Sequence, residues 1–232
     1  QYLADTLGLS PIEQYLLGLA TMFTAHGGLS ALASTCFGEM DVHHLVRISA
    51  TLIGKPESEV RSALAPQGLL ARSGLMSLDR KERQELPKKF GLLDGMAEAL
   101  CGGADEVRAL LERWIPYAPA PTLRLRDYPH LRPELKLMQR LIDAALRQQR
   151  PGVNLLVYGP PGTGKTELMR ALAQALKVPL YAVPNADEAG DPLSGEQRLR
   201  YYRLAQVVLS QRDQALLLFD EVEDVFPHPL GI

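Results

Sequence analysis

Residues 159–166 read GPPGTGKT, and no other stretch constrains this chain as tightly. Before them stands VNLLVY (153–158), a short continuous apolar run that predicts a strand buried on both faces. After them, Lys165 to Leu176 carries the apolar spacing of a helix. Strand, GxxxxGK[ST] loop and helix in that order make a cradle for phosphate. Gly159, Gly162 and Gly164 let the backbone turn sharply, so that its N–H groups converge on phosphate oxygens. Pro160, Pro161 and Thr163 fill the rest of the loop, and the helix aims its positive end at the same anion. Lys165 brings a full charge to β and γ phosphates, and Thr166 brings a hydroxyl for Mg2+. Glu167, next on the helix, is counted with the nucleotide-binding residues.

A second apolar run, ALLLF (215–219), ends in Asp220-Glu221. A buried strand delivering acids to a phosphate loop suits metal-dependent phosphoryl transfer. Asp220 is placed to orient Mg2+, and Glu221 to act as general base or positioner for the attacking water.

GPPGTGKT, followed by an apolar strand ending in Asp-Glu, resembles the AAA+ ATPases, and within them the AAA branch that remodels proteins. The two motifs are then Walker A and Walker B, and the resemblance covers about residues 121–226. It implies an α/β fold: a P-loop NTPase parallel-sheet core, here a partial AAA+ module with the lid absent. Leu180–Val183 would be the second strand, and a helix around Glu196–Ser210 would lead into the Walker B strand. By position, the resemblance puts Asp127, Tyr128, Pro129 and His130 around the adenine of ATP. It implies ATP and Mg2+ as ligands and a homo-oligomeric ring in the full-length form.

Three departures qualify it. The family's polar sensor, arginine finger and helical lid are expected beyond Ile232, and Arg198, Arg200, Arg203 and Arg212, which precede the Walker B strand, do not sit where that finger is expected. This stretch alone is therefore expected to hydrolyse ATP poorly. The loop GDPLSG (190–195) lacks the aromatic that polypeptide-threading members carry there, and Tyr201 and Tyr202 fall inside the next helix. Glu223 and Asp224 stand where the family often has one acid, a mild variation.

Upstream, the chain divides into a mainly helical domain (1–114), a Pro-rich linker (115–132) and the partial ATPase core (133–232), with the boundary near 120. Ser10 and Pro11 open a helix over 11–25, and Asp41 opens another that ends at Gly54. Further helices are expected over 30–37 and 56–65, and two more within 86–114. Ser73-Gly74, between two apolar runs in 69–79, predicts a hairpin. Helix, turn, helix and hairpin is the order of a winged helix, and equally of a small helical bundle. The helix at 56–65 would read DNA in a winged helix, but it carries Glu57 and Glu59 against one base, Arg61.

The chain is 46% hydrophobic and 22% charged with a net charge of −2, which excludes disorder and non-specific coating of nucleic acid. No apolar run approaches a membrane span, and the opening residues lack a signal peptide's bases, so a cytoplasmic protein with no membrane partner is expected. Cys36 and Cys101 read as reduced, buried thiols. His26, His43, His44, His130 and His228 show no zinc-binding spacing.

The leading functional expectation is an ATP-driven remodeller whose N-terminal domain docks a protein client. The alternative is a DNA-linked ATPase or loader using a winged helix; the basic residues between Arg124 and Arg150 favour it weakly. A third reading, an ATP-gated adaptor without turnover, conflicts with an intact Glu221.

Overall fold

The computed structural model describes residues 1–150, 152–187, 189–211 and 214–226. Its N-terminal half runs α1 (Tyr2–Leu7), α2 (Pro11–Ala25), α3 (Gly27–Phe37), β1 (Glu39–Met40), α4 (Val42–Ile53), α5 (Glu57–Ala63) and the single turn α6 (Leu69–Arg72). Then come β2 (Met76–Leu78), β3 (Gln84–Glu85), β4 (Phe90–Leu92), α7 (Met96–Gly102) and α8 (Ala104–Trp114). The C-terminal half holds α9 (Arg132–Arg147), α10 (Lys165–Leu176), β5 (Leu180–Ala182), α11 (Gly195–Ser210) and β6 (Leu216–Leu218).

The helix starts follow from side-chain chemistry. Pro11 opens α2, and Ser10 and Glu13 satisfy each other's backbone N–H groups in a capping box. The buried Glu13 carboxylate also accepts from Leu69 N at 3.1 Å, tying the start of α2 to α6. Asp41 caps α4 by accepting from His44 N at 2.9 Å, and that bond, then the His44 ring, holds its carboxyl below the usual range.

The hairpin expected over 69–79 does not form. Ser73 Oγ donates to Leu70 O and accepts from Leu75 N, so Ser73-Gly74 closes a helical turn instead. The partner of β2 is β4, antiparallel with Ser77 opposite Gly91, while β1 pairs with β3. These are two separate two-stranded pieces. The first of the helices expected in 86–114 starts only at Met96, because Pro87 and two glycines, Gly91 and Gly95, interrupt the stretch before it. Cys36 and Cys101, expected buried, are exposed free thiols near the ends of α3 and α7.

β5 and β6 pair in parallel, Tyr181 opposite Leu217, with α11 as the crossover that parallel strands require. The strand expected at 153–158 is absent. Val153, Leu155, Leu156 and Tyr158 are exposed, Tyr158 at 88%. A parallel strand needs neighbours to take its backbone bonds; β5 and β6 take each other's, and no described strand lies beside 153–158.

One apolar core crosses the chain midpoint. Leu16, Leu45, Leu75 and Met96 from the N-terminal half share it with Tyr181, Tyr201, Leu204 and Val208. Trp114 packs on Tyr201 with ring centroids 5.4 Å apart. The linker joins in as well, because Ala118 N donates to Leu180 O and Ala182 N to Pro116 O, laying 116–118 along β5. A small second cluster of Tyr128, Leu135 and Leu168 lies under the phosphate loop. No single helix among the described residues is long and apolar enough to cross a membrane.

Candidate nucleotide-binding site

The loop 159–164 leads directly into α10, whose first residue is Lys165. Gly162 and Gly164 adopt φ of 76° and 79°, a left-handed backbone that side chains disfavour. A Cβ at Gly164 would also stand 3.4 Å from the Tyr128 hydroxyl. Lys165 Nζ donates to the carbonyls of Gly159 and Pro160, each at 3.0 Å, and Thr163 Oγ1 donates to Pro160 O at 2.9 Å. The lysine thus lies along its own loop.

β6 delivers Asp220 to the start of α10. Thr166 Oγ1 donates to Asp220 Oδ2 at 2.6 Å, across 54 residues of sequence. Two oxygen donors side by side at a helix N-terminus fit Mg2+, which takes oxygen ligands. Among the described residues no cluster of three or more His, Cys, Asp or Glu offers another metal site. Glu221 is left-handed at φ 50° and ψ 48°, a conformation costing a non-glycine residue roughly 1–2 kcal/mol. Such strain tends to gather at functional sites.

Of the residues placed around adenine by position, Tyr128 is buried with its hydroxyl 3.5 Å from Gly164 O. Burial, then Glu167 and Asp127, pushes its phenol up. His130 is exposed, its ring centroid 6.5 Å from that of Tyr128. Asp127 ends the short turn before Tyr128, and its carboxylate accepts from Arg124 N at the start of that turn.

Glu167 faces the linker. Its carboxylate accepts from Thr122 Oγ1 and Leu123 N, both at 2.9 Å, and from Thr122 N. The Leu123 N–H, then the Thr122 hydroxyl and N–H and the nearby Arg170, hold its carboxyl below the ordinary range. A depressed carboxyl stabilises the fold above its unfolded value, about 4.3 for glutamate, and that contribution is lost as pH falls through the folded value. In an NMR titration the Glu167 carboxyl carbon is expected to turn over below that pH. A midpoint at or above it would mean that the linker clip is not formed in solution.

Sequence reasoning weighed Arg198 only as an arginine finger and gave it no role in the site. It is 2% exposed, and its guanidinium donates to the carbonyls of both Asp220 and Glu221, the latter at 3.2 Å. Its signal was legible, since Arg198 continues the buried stripe of Tyr201, Leu204, Ala205 and Val208 on α11. A charge on an apolar stripe needs partners. Arg200 binds the carbonyls of Gly74, Leu75 and Gly91. Tyr201 is buried and Tyr202 stacks on Phe219, so neither presents a free aromatic loop. Arg212 and His228 lie outside the described residues.

Residues 155–229 match the model of the ATPase family associated with various cellular activities (AAA). The Cell division cycle protein 48 homolog of Archaeoglobus fulgidus is 28% identical over 123 residues, 46% of this chain and 15% of that protein. ATPase-like fidgetin of Schizosaccharomyces pombe is 31% identical over 98 residues, 42% of this chain and 13% of its own length. The Holliday junction branch migration complex subunit RuvB of Rubrobacter xylanophilus is 31% identical over 107 residues, 44% of this chain and 27% of that subunit. The chain therefore spans well under a third of each of these relatives. No solved structure matches it. With phosphate loop, helix, crossover and acid-tipped strand in that order, residues 155–229 are similar to the AAA ATPases.

Proposed function

We propose that this protein binds ATP with Mg2+ at residues 159–166 and hydrolyses it to remodel a protein partner, as a subunit of a ring. The contact between Thr166 and Asp220 carries the reading, since it joins the two motifs at one point, 2.6 Å apart. The loop N–H groups and the α10 N-terminus hold the phosphates. Lys165 exchanges its bonds to Gly159 and Pro160 for β and γ phosphate oxygens. Thr166 and Asp220 hold Mg2+, which when bound neutralises charge on the phosphates. Glu221 orients the attacking water and takes its proton. Tyr128, packed on the loop at Gly164, borders the base together with His130. The remaining transition-state charge is met by an arginine from a neighbouring subunit.

The N-terminal helices dock the client. The likeness to ATPase-like fidgetin supports ATP hydrolysis. The RuvB likeness supports a second reading, an ATPase acting on DNA. Against that reading, α5 starts with Glu57 and Glu59, and its one base, Arg61, lies 3.8 Å from Glu57. Calorimetric titration of the full-length protein with ATP and Mg2+ tests the site. Lys165→Ala removes a charge-assisted contact worth about 1.5–3 kcal/mol, so Kd is expected to rise roughly 10- to 100-fold. An unchanged Kd would remove the loop from nucleotide binding.

A further inference from the structure

Arg198 does not belong to either nucleotide motif, yet it touches the backbone of both acids of the Asp220–Glu221 pair. It stands in the first turn of α11, is 2% exposed, and forks onto the two carbonyls. Among the described residues its only ion-pair neighbour is Asp224, at 3.6 Å and itself well exposed, so no buried carboxylate there accounts for an arginine. The guanidinium lies 4.9 Å from the centre of the Phe219 ring, the last apolar residue before the acids. Its Nε has no hydrogen-bond partner among the described residues. A buried guanidinium with an unfilled donor is a poor stabiliser, since a well-packed apolar side chain often serves better. What the fork does supply is direction: two carbonyls held by one rigid plane fix the peptide between them.

That peptide needs fixing. Glu221 is left-handed without being glycine, a backbone that persists only where its surroundings hold it. The base of the fork is itself anchored. Two residues along α11, Arg200 binds Gly74 O at 2.8 Å and Gly91 O at 2.9 Å, and Gln197 Nε2 donates to Asp94 Oδ2 at 2.7 Å. The helix carrying Arg198 is thus clamped to the β2–β4 pair of the N-terminal half.

We propose that Arg198 is a positioning residue for ATP hydrolysis, holding the Asp220–Glu221 backbone so that the Glu221 carboxylate meets the attacking water. It acts through the peptide and touches neither nucleotide nor metal, and it rests on the reading of Glu221 as the residue that places water. Misplacement of a catalytic group by about 1 Å can cost on the order of 100-fold in rate.

The test uses the full-length protein and four variants: Arg198→Met, Arg198→Lys, Glu221→Gln and the double variant Arg198→Met/Glu221→Gln. Arg198→Met keeps the stem and removes the fork. It is expected to lower kcat at least 10-fold while KM and the calorimetric Kd for ATP stay within about threefold. Arg198→Lys keeps the charge and can reach one carbonyl, so it is expected to recover part of kcat. The double variant is expected to turn over no more slowly than Glu221→Gln alone, because residues acting as a unit are not additive. Wild-type kcat in Arg198→Met, or a double variant slower by the full product of the two single effects, would overturn the proposal. If Arg198→Met gives no cooperative melt, Arg198→Lys carries the same comparison: kcat equal to wild type would overturn the proposal, and a selective fall in kcat would support it. A wild-type protein without ATP turnover, or one untouched by Glu221→Gln, would instead sink the underlying reading of the site.

Discussion

Glu221→Gln is expected to lower ATP turnover by about 10²- to 10⁴-fold, the range for losing a positioned general base. Nucleotide affinity is expected to stay within a few-fold. The substitution is nearly isosteric, and Arg198 binds the carbonyl of residue 221, not its carboxylate. The Thr166–Asp220 contact is likewise untouched. A steady-state phosphate-release assay beside a binding titration reads both quantities. Turnover equal to wild type would strip Glu221 of its role and revive the reading of an adaptor that binds nucleotide without using it. The same variant, stalled with ATP bound, also separates the two readings of the partner. Protein retained only with ATP favours the remodeller. Nucleic acid retained instead, and lost on nuclease treatment, would move the protein to the DNA-acting reading and make α5 the helix to mutate.

What could be read from the sequence was what depends on near neighbours. The turn at 159–164, the helix from Lys165, and the caps at Ser10 and Asp41 are set by residues within a turn or two, and each is found in the structure. The juxtaposition of Thr166 and Asp220 was inferable as well, because strand, crossover helix and strand leave few ways to bring two motifs together. Pairings decided at a distance escaped. Met76–Leu78 has strand character, but its partner stands at Phe90–Leu92, beyond the Ser73-Gly74 turn that suggested a closer one. VNLLVY has strand composition, yet composition does not supply a neighbour to bond with. Glu167 looked like a phosphate-loop residue from its place in the sequence, and only the fold brings Thr122 and Leu123 to its carboxylate. Arg198 is the intermediate case. Its place on an apolar stripe could be seen, but the identity of its partners could not.

Leu204→Ala is expected to cost about 2–5 kcal/mol of stability, the usual loss for a buried leucine truncated in a core that collapses only partly. Leu204 is 0% exposed, in the middle of α11, within the core that residues of both halves share. At about 2–4 °C per kcal/mol for a chain of this size, the melting shift is well outside measurement error. Leu137→Ala on α9 makes the control, since Leu137 is 69% exposed and surface substitutions usually fall within about 0.5 kcal/mol. The larger consequence concerns cooperativity. The Pro-rich stretch at 115–132 looks like a linker between independent domains, yet Trp114 lies on Tyr201 and residues 116–118 bond along β5. If those contacts hold the halves together, tryptophan fluorescence and far-UV circular dichroism will trace the same unfolding transition, and Leu204→Ala will move both by the same amount. Separate transitions, with only one displaced by the substitution, would mean that the halves fold independently. α11 would then be unable to carry strain from the N-terminal sheet to the Asp220–Glu221 peptide. Coincident transitions would make the shared core the rigid frame on which that helix, and the acids it holds, depend.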